Sequence, residues 1–246
     1  MLPKITNFLS LPFTDVDLKV ITNMFLNGDF QGKIIVTPNV DHVVRYHKDE
    51  VFRDIYSKSD FFFNDSRILR LLSKLWKYHL ENVTPGSDLT ARLFESGSLN
   101  DRNVCILGAE DSDLKILKSK FKKVNFFHYN PPFGFESNEI EVQRCLDYCD
   151  AISDAVFFVS VGSPKQEYLA ERLKSAGVDG TFFCVGASVL FISGREKRAP
   201  LWVQTIGFEW FYRFLNNPKR LFKRYFVDGP YIFLLAIRYR FFGDRK

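Results

Sequence analysis

The fold turns on Ala155-Val156-Phe157-Phe158-Val159-Ser160-Val161-Gly162-Ser163-Pro164-Lys165-Gln166-Glu167. Seven residues rich in β-branched and aromatic types run without apolar/polar alternation, the pattern of a strand covered on both faces. Gly162 breaks the run, and a helix-compatible stretch, Pro164–Ala176, follows. Ser163 can cap that helix, Pro164 suits its first position and Gln166 completes a capping box. A glycine-led helix start at the end of a strand is also an anion site, and Lys165 adds a positive charge; a diphosphate would fit there.

The same unit recurs in both directions along the chain. Lys33–Thr37, Phe61–Asn64, Asn103–Leu107, Val124–His128 and Thr181–Val185 read as further strands. Ser66–Lys77, Ser112–Lys120 and Ser137–Asp150 read as helices between them. The predicted class is a Rossmann-like α/β fold, a mostly parallel sheet with helices on both faces. No Gly-x-Gly-x-x-Gly follows any strand, which argues against a dinucleotide oxidoreductase. Ligands of such sheets bind beyond the carboxyl ends of the strands. There the chain places Pro38-Asn39, Asp65-Ser66, Gly108, the 162–167 loop and Gly186-Ala187-Ser188. Glycines and polar groups gathered at one edge outline an active site.

With 246 residues, 46% of them hydrophobic, the chain can bury one substantial core. Its start lacks the apolar run of a signal peptide. The longest apolar stretch, Tyr231–Ile237, is far below the roughly 20 residues a membrane span needs. Cys105, Cys145, Cys149 and Cys184 show no zinc spacing and read as reduced, buried thiols, with Cys145 and Cys149 on one helix face. The net charge of +5 is unevenly placed. Residues 195–246 carry 12 Lys and Arg against 4 Asp and Glu, whereas the rest carries 22 against 25. Aromatic residues, among them Trp202, Phe208, Trp210, Phe211 and Phe226, are threaded through this basic tail. The division reads as an α/β catalytic domain over 1–194 and a basic, aromatic helical appendage over 195–246. Such an appendage suggests a polyanionic surface as partner.

Asp65 follows three phenylalanines. Partial removal from water would raise its proton affinity and suit it to general-base work, while an ordinary helix N-cap is the reading the residues alone favour. Asp15-Val16-Asp17 and Asp111-Ser112-Asp113 could hold a cation, yet each precedes a helix and serves as well as first-turn carboxylates. Neither is assigned to a metal, and no cofactor is expected. His42, His47, His79 and His128 form no ligand cluster, although His128 could line the cleft. Arg220, Lys223 and Arg224 share a face of a helix starting near Pro218, and Arg213 lies one element earlier. The face is either a solvated basic surface or an interfacial amphipathic helix.

The order of several short motifs resembles the WecB/TagA/CpsF family of bacterial glycosyltransferases, which build linkage units of teichoic acid, enterobacterial common antigen and capsule. They are Thr37-Pro38-Asn39 with His42, Asp60 to Asp65, Gly86-Ser87-Asp88-Leu89, Ile106-Leu107-Gly108 and Pro132-Phe133-Gly134-Phe135. The 162–167 loop, Val185-Gly186-Ala187, Arg198-Ala199-Pro200 and Gly207-Phe208-Glu209-Trp210 with Arg213 follow, then Pro218, Arg220 and Arg224. The resemblance implies an inverting, metal-independent transfer from a UDP-sugar to a polyprenyl-diphosphate-linked sugar. It implies Asp65 as catalytic base, with Thr37, Asn39 and Gln166 lining the pocket. Gly108, Gly186, Ser163 and Lys165 belong to the same substrate-binding edge. The tail is expected to dock on the anionic inner face of the cell membrane and close over the site, Arg213, Arg220, Lys223 and Arg224 meeting the diphosphate. The protein would then be cytoplasmic and peripheral.

Two departures stand out. The family usually has Gly after the catalytic Asp, where this chain has Ser66. An arginine common before Val-Thr-Gly is replaced by Asn82, with Pro85 added before Gly86. The alternative is an anionic-lipid or nucleic-acid binding protein on a non-catalytic scaffold. The acidic balance of the body argues against nucleic acid, which favours a basic face.

Overall fold

The computed structural model describes residues 3–196, 199–200, 203, 209–216 and 218–243. Six strands form one parallel sheet: β3 (Ile34–Val36), β4 (Phe61–Phe62), β5 (Asn103–Leu107), β6 (Asn125–Tyr129), β7 (Ala155–Val159) and β8 (Gly180–Cys184), in the order β4-β3-β8-β7-β5-β6. The helices between them are α2 (Val40–Lys48), α3 (Glu50–Tyr56), α4 (Arg67–Leu75), α5 (Gly86–Glu95), α6 (Asp111–Lys120), α7 (Glu139–Asp150) and α8 (Lys165–Ser175). Helix α1 (Leu18–Leu26) precedes the sheet and α9 (Ser188–Ser193) follows β8. The expected α/β class is the observed one.

Period-two alternation sorts the strand residues onto two cores. Ile34, Val36, Phe157, Phe182 and Cys184 face the layer that includes α2, α7 and α8. Ile35, Phe158, Phe183 and Val185 face α1, α5, α6 and α9. The register pairs Phe157 with Phe182 and Phe158 with Phe183. Each pair stacks, with ring centroids 5.2 Å apart on one face and 5.5 Å on the other. Burying one such ring is worth about 1.5–3 kcal/mol, and each stack adds about 0.5–1.5 kcal/mol. The central strands are thus clamped on both sides. All four cysteines are free and buried. A neighbouring thiol and burial push Cys145 up, and contact with Cys105 does the same for Cys149, so both stay protonated and inert.

An antiparallel hairpin, β1 (Ile5–Phe8) and β2 (Leu11–Thr14), precedes the sheet. Its turn holds Leu9 and Ser10 at φ of 50° and 62°, left-handed at both positions. Turns of this type usually advertise themselves with Asn-Gly or Asp-Gly, which this chain lacks.

In the tail, helices Glu209–Asn216 and Pro218–Phe222 are followed by a π-helical stretch, Lys223–Asp228, and a final helix, Tyr231–Phe242. The helix start at Pro218 is as expected. The widening at Lys223 departs from the 3.6-residue spacing that would align Arg220, Lys223 and Arg224. The final helix buries Ile232, Leu235, Ala236 and Tyr239 in the same core as β3 and α2. Tyr239 packs on Phe8 and Tyr78, with centroids 6.0 and 5.3 Å away. Lys48 pairs with Asp228 at 3.2 Å and lies 4.5 Å over the Tyr231 ring.

Candidate active site

Adjacent strands β3 and β8 send their following helices, α2 and α9, to opposite faces of the sheet. The edge therefore splays open between them, as at the switch point of other open α/β sheets. Thr37, buried, leaves β3 there. Gly86, at the start of α5, approaches so closely that an added Cβ would lie 2.9 Å from Thr37 Oγ1 and 3.2 Å from Ser188 Oγ. Any side chain at Gly86 would fill this corner. At the next splayed pair, β7 and β5, a Cβ on Gly108 would meet the Ser160 carbonyl at 3.1 Å.

Asp65 lies half-buried one strand over, beyond β4, held by its backbone. Its amide donates to the Pro38 carbonyl at 2.9 Å. Its predecessor Asn64 is tied to the 82–84 loop: Nδ2 donates to Asn82 O at 3.0 Å, and Thr84 N donates to Asn64 O at 2.6 Å. The cap of α4 is Ser66, whose hydroxyl accepts the Leu69 amide. The N-cap reading of Asp65 is thereby removed, and the departure from the family's glycine acquires a purpose. Asn82, where the family shows arginine, donates its backbone and side-chain N–H to Asp15 at 2.8 and 2.9 Å.

Asn39 caps α2, accepting from the amides of Asp41 and His42, while His42 Nδ1 accepts from the Asn39 amide at 3.3 Å. Gln166 is buried and used at both ends: Oε1 accepts from Gly186 N at 2.8 Å, and Nε2 donates to Glu167 Oε1 at 2.7 Å. It clasps α8 to the turn after β8. The capping box expected of Ser163 and Gln166 does not form. The Ser163–Pro164 peptide is cis, the α8 cap is Pro164, and no side chain caps the helix. Ser163 instead meets Arg45 at 3.4 Å and contributes a hydrogen bond to the Glu167 carboxylate. Lys165 is paired with Glu136 at 2.9 Å and sits 4.5 Å over Phe133.

A buried polar layer lies under this edge that the motif reading passed over. Glu167 is wholly enclosed. Burial raises its pKa, partly offset by hydrogen bonds from Gln166, its own backbone and Ser163 and by the Arg45 charge. Tyr56 is also enclosed; burial first, then the nearby Glu167, Cys184 and Asp65, push its phenol well up. Among the described residues Tyr56 Oη, Glu167 Oε2 and Ser160 Oγ have no partner. Asp65 thus borders a low-dielectric polar layer.

The N-termini of α2, α8 and α9 all start at this edge, and their backbone dipoles favour an anion. Of the body's cations nearby, Arg45 and Lys165 are paired with Asp41 and Glu136, and Arg67 is exposed at the start of α4. The side chains of Arg213, Arg220 and Arg224 lie outside the described residues; Lys223 is exposed. Both Asp-x-Asp triplets have structural partners. Asp15 accepts from Glu81, Asn82 and Lys4, and Asp17 caps α1. Asp113 binds Ser193 and Arg195, and Asp111 lies 3.2 Å from His128. No group of three or more potential metal ligands occurs among the described residues. His128 lines an open cleft of about 620 Å³ with Glu110, Asp111, Ser112, Tyr129 and Asn130 at the carboxyl ends of β5 and β6, and its Nε2 lies 3.1 Å from the Gly108 carbonyl.

A splayed edge of a parallel sheet with helix N-termini along it can receive an anionic ligand. The chain belongs to the Glycosyl transferase WecG/TagA/CpsF family, whose sequence profile matches residues 6–246, and it is a glycosyltransferase. It is 27% identical over 192 residues to the N-acetylglucosaminyldiphosphoundecaprenol N-acetyl-beta-D-mannosaminyltransferase of Bacillus subtilis (strain 168), covering 77% of this chain and 73% of that one. Among the described residues, no helix is long and apolar enough to cross a membrane.

Proposed function

We propose that this glycosyltransferase moves a sugar from a UDP-sugar to a polyprenyl-diphosphate-linked sugar, with inversion and without a metal, at the anionic inner face of the cell membrane. The name of the Bacillus relative makes an N-acetylglucosaminyl-diphospholipid the first acceptor to test. Asp65 takes the proton from the acceptor hydroxyl. The freed oxygen attacks the anomeric carbon from the side opposite the diphosphate, and the bond to UDP breaks, its electron pair leaving with the phosphate. The observation that supports Asp65 is its place at the carboxyl end of β4, where Ser66 and not Asp65 caps α4.

The departing diphosphate needs positive charge. Helix N-termini supply part of it. Arg45 and Lys165 are already paired, so we assign most of the remainder to the tail's Arg213, Arg220, Lys223 and Arg224. On this reading residues 1–194 form the catalytic body, and 195–246 dock on the membrane and close the site. The decisive experiment supplies UDP-sugars and a synthetic polyprenyl-diphosphate acceptor to the wild type and to Asp65→Asn, with the product and its anomeric configuration determined. Equal turnover of the two proteins would remove Asp65 from this role.

A further inference from the structure

Helix α4 begins immediately after Asp65-Ser66, and its inner residues Leu69, Leu72 and Ser73 are buried. Its outer face presents Leu71 and Leu75, one turn apart and 66% and 67% exposed. Arg67 stands one turn before Leu71, Lys74 beside Leu75, and Lys77 just beyond, all exposed. Over residues 66–81 four Lys and Arg stand against one carboxylate, Glu81, which pairs with Lys74 at 3.0 Å.

Tyr78, three residues past the end of α4, packs on Tyr239 of the final helix. The segment that follows α4 is therefore in contact with the final helix. The final helix has the same design, with a buried inner face and exposed Phe233, Leu234, Ile237, Phe241 and Phe242 outside, alongside exposed Arg238 and Arg240.

We propose that α4 is a second lipid-contacting element, which lays Leu71 and Leu75 into the boundary of an anionic bilayer beside the final helix. This rests on the membrane-docking reading of the tail and extends it to the catalytic body. Apolar side chains flanked by Lys and Arg match such a surface: the apolar parts enter the acyl boundary while the cations stay among the headgroups. A self-complementary contact between two copies would bring the same basic residues face to face, which disfavours that occupant. Because α4 starts one residue after Ser66, docking it would hold the Asp65 edge at headgroup height, where a lipid-linked diphosphate lies.

The test uses the full chain carrying Leu71→Glu with Leu75→Glu, beside Phe233→Glu with Phe241→Glu. Both pairs are exposed, and a thermal melt checks that each variant folds. Co-sedimentation is measured with phosphatidylglycerol vesicles and with phosphatidylcholine vesicles. Transfer is measured to a polyprenyl acceptor in vesicles and to a short-chain, water-soluble analogue. The α4 pair is expected to weaken phosphatidylglycerol binding by about tenfold or more and to lower transfer in vesicles correspondingly, with the soluble rate within about twofold of wild type. Lys74→Gln and Lys77→Gln should each weaken binding by about fivefold. If the tail pair releases the protein and the α4 pair does not, α4 is no membrane element while the tail reading stands. If neither releases it, both fall. A changed sedimentation coefficient of the α4 pair without vesicles would make the face a self-contact and overturn the proposal.

Discussion

Gln166 and Gly186 are joined by a 2.8 Å hydrogen bond from the Gly186 amide to the Gln166 side-chain oxygen. It ties the helix after β7 to the turn after β8, so the carboxyl edge of the sheet, the proposed substrate edge, is fixed across two strands. Replacing Gln166 by Leu removes this bond and the one to Glu167, leaving buried polar atoms unpaired at about 1–3 kcal/mol each. We expect a lower melting temperature together with a raised KM for the donor. Unchanged values of both would show that the edge is held by other means.

Asp65 and Ser66 should separate cleanly. Asp65→Asn is expected to melt like wild type while turnover falls by about 10² or more. Ser66→Ala should lose about 1 kcal/mol of stability through the lost cap and keep most of its turnover at low temperature. If both variants lose stability alike, the division of roles drawn here is wrong.

Glu167 gives a pH signature. Its folded pKa is raised, so the stability tied to its neutral form is complete below the ordinary carboxylate pKa and is lost as pH rises toward the folded value. Glu167→Gln stays neutral throughout. The variant should melt near wild type at pH 4 and above it at pH 8; parallel melting curves would contradict a buried, reluctant carboxyl.

Asp15 runs the opposite way. Burial raises its pKa, but hydrogen bonds from Glu81, Asn82 and Lys4 outweigh that and the net shift is downward. The stability it contributes is present above the ordinary carboxylate pKa and lost as pH falls through the folded one. Asp15→Asn should therefore flatten the acid limb of the stability curve. Transfer by the wild type should persist in EDTA, since these aspartates are engaged in structure. A loss restored by manganese or magnesium would refute that.

Much of this was legible in the residues. Unalternating apolar runs such as Ala155–Val161, short and rich in β-branched and aromatic residues, read as strands covered on both sides, so the parallel sheet follows. The hairpin escaped because Leu9 and Ser10 adopt left-handed backbone without glycine or asparagine. The start of α8 was misread because Ser163 looks like a cap, whereas its hydroxyl turns to Arg45 and Glu167. Asp65 was ambiguous because an aspartate ahead of a helix can serve as cap or base, and only three-dimensional geometry shows that Ser66 meets the Leu69 amide. Glu167 and Tyr56 lie far apart in the chain, and their shared enclosure has no local signature.

The bonds running from Lys4 to Asp15, on to Asn82 and then to Asn64 make the first fifteen residues a foundation for a carboxylate fifty positions later. Trimming the amino terminus past Lys4, or fusing a bulky tag tightly against it, would undercut Asp65 without touching a single pocket residue. An inactive preparation could then be mistaken for one given the wrong sugar. Tags for this enzyme belong on a long, flexible leader.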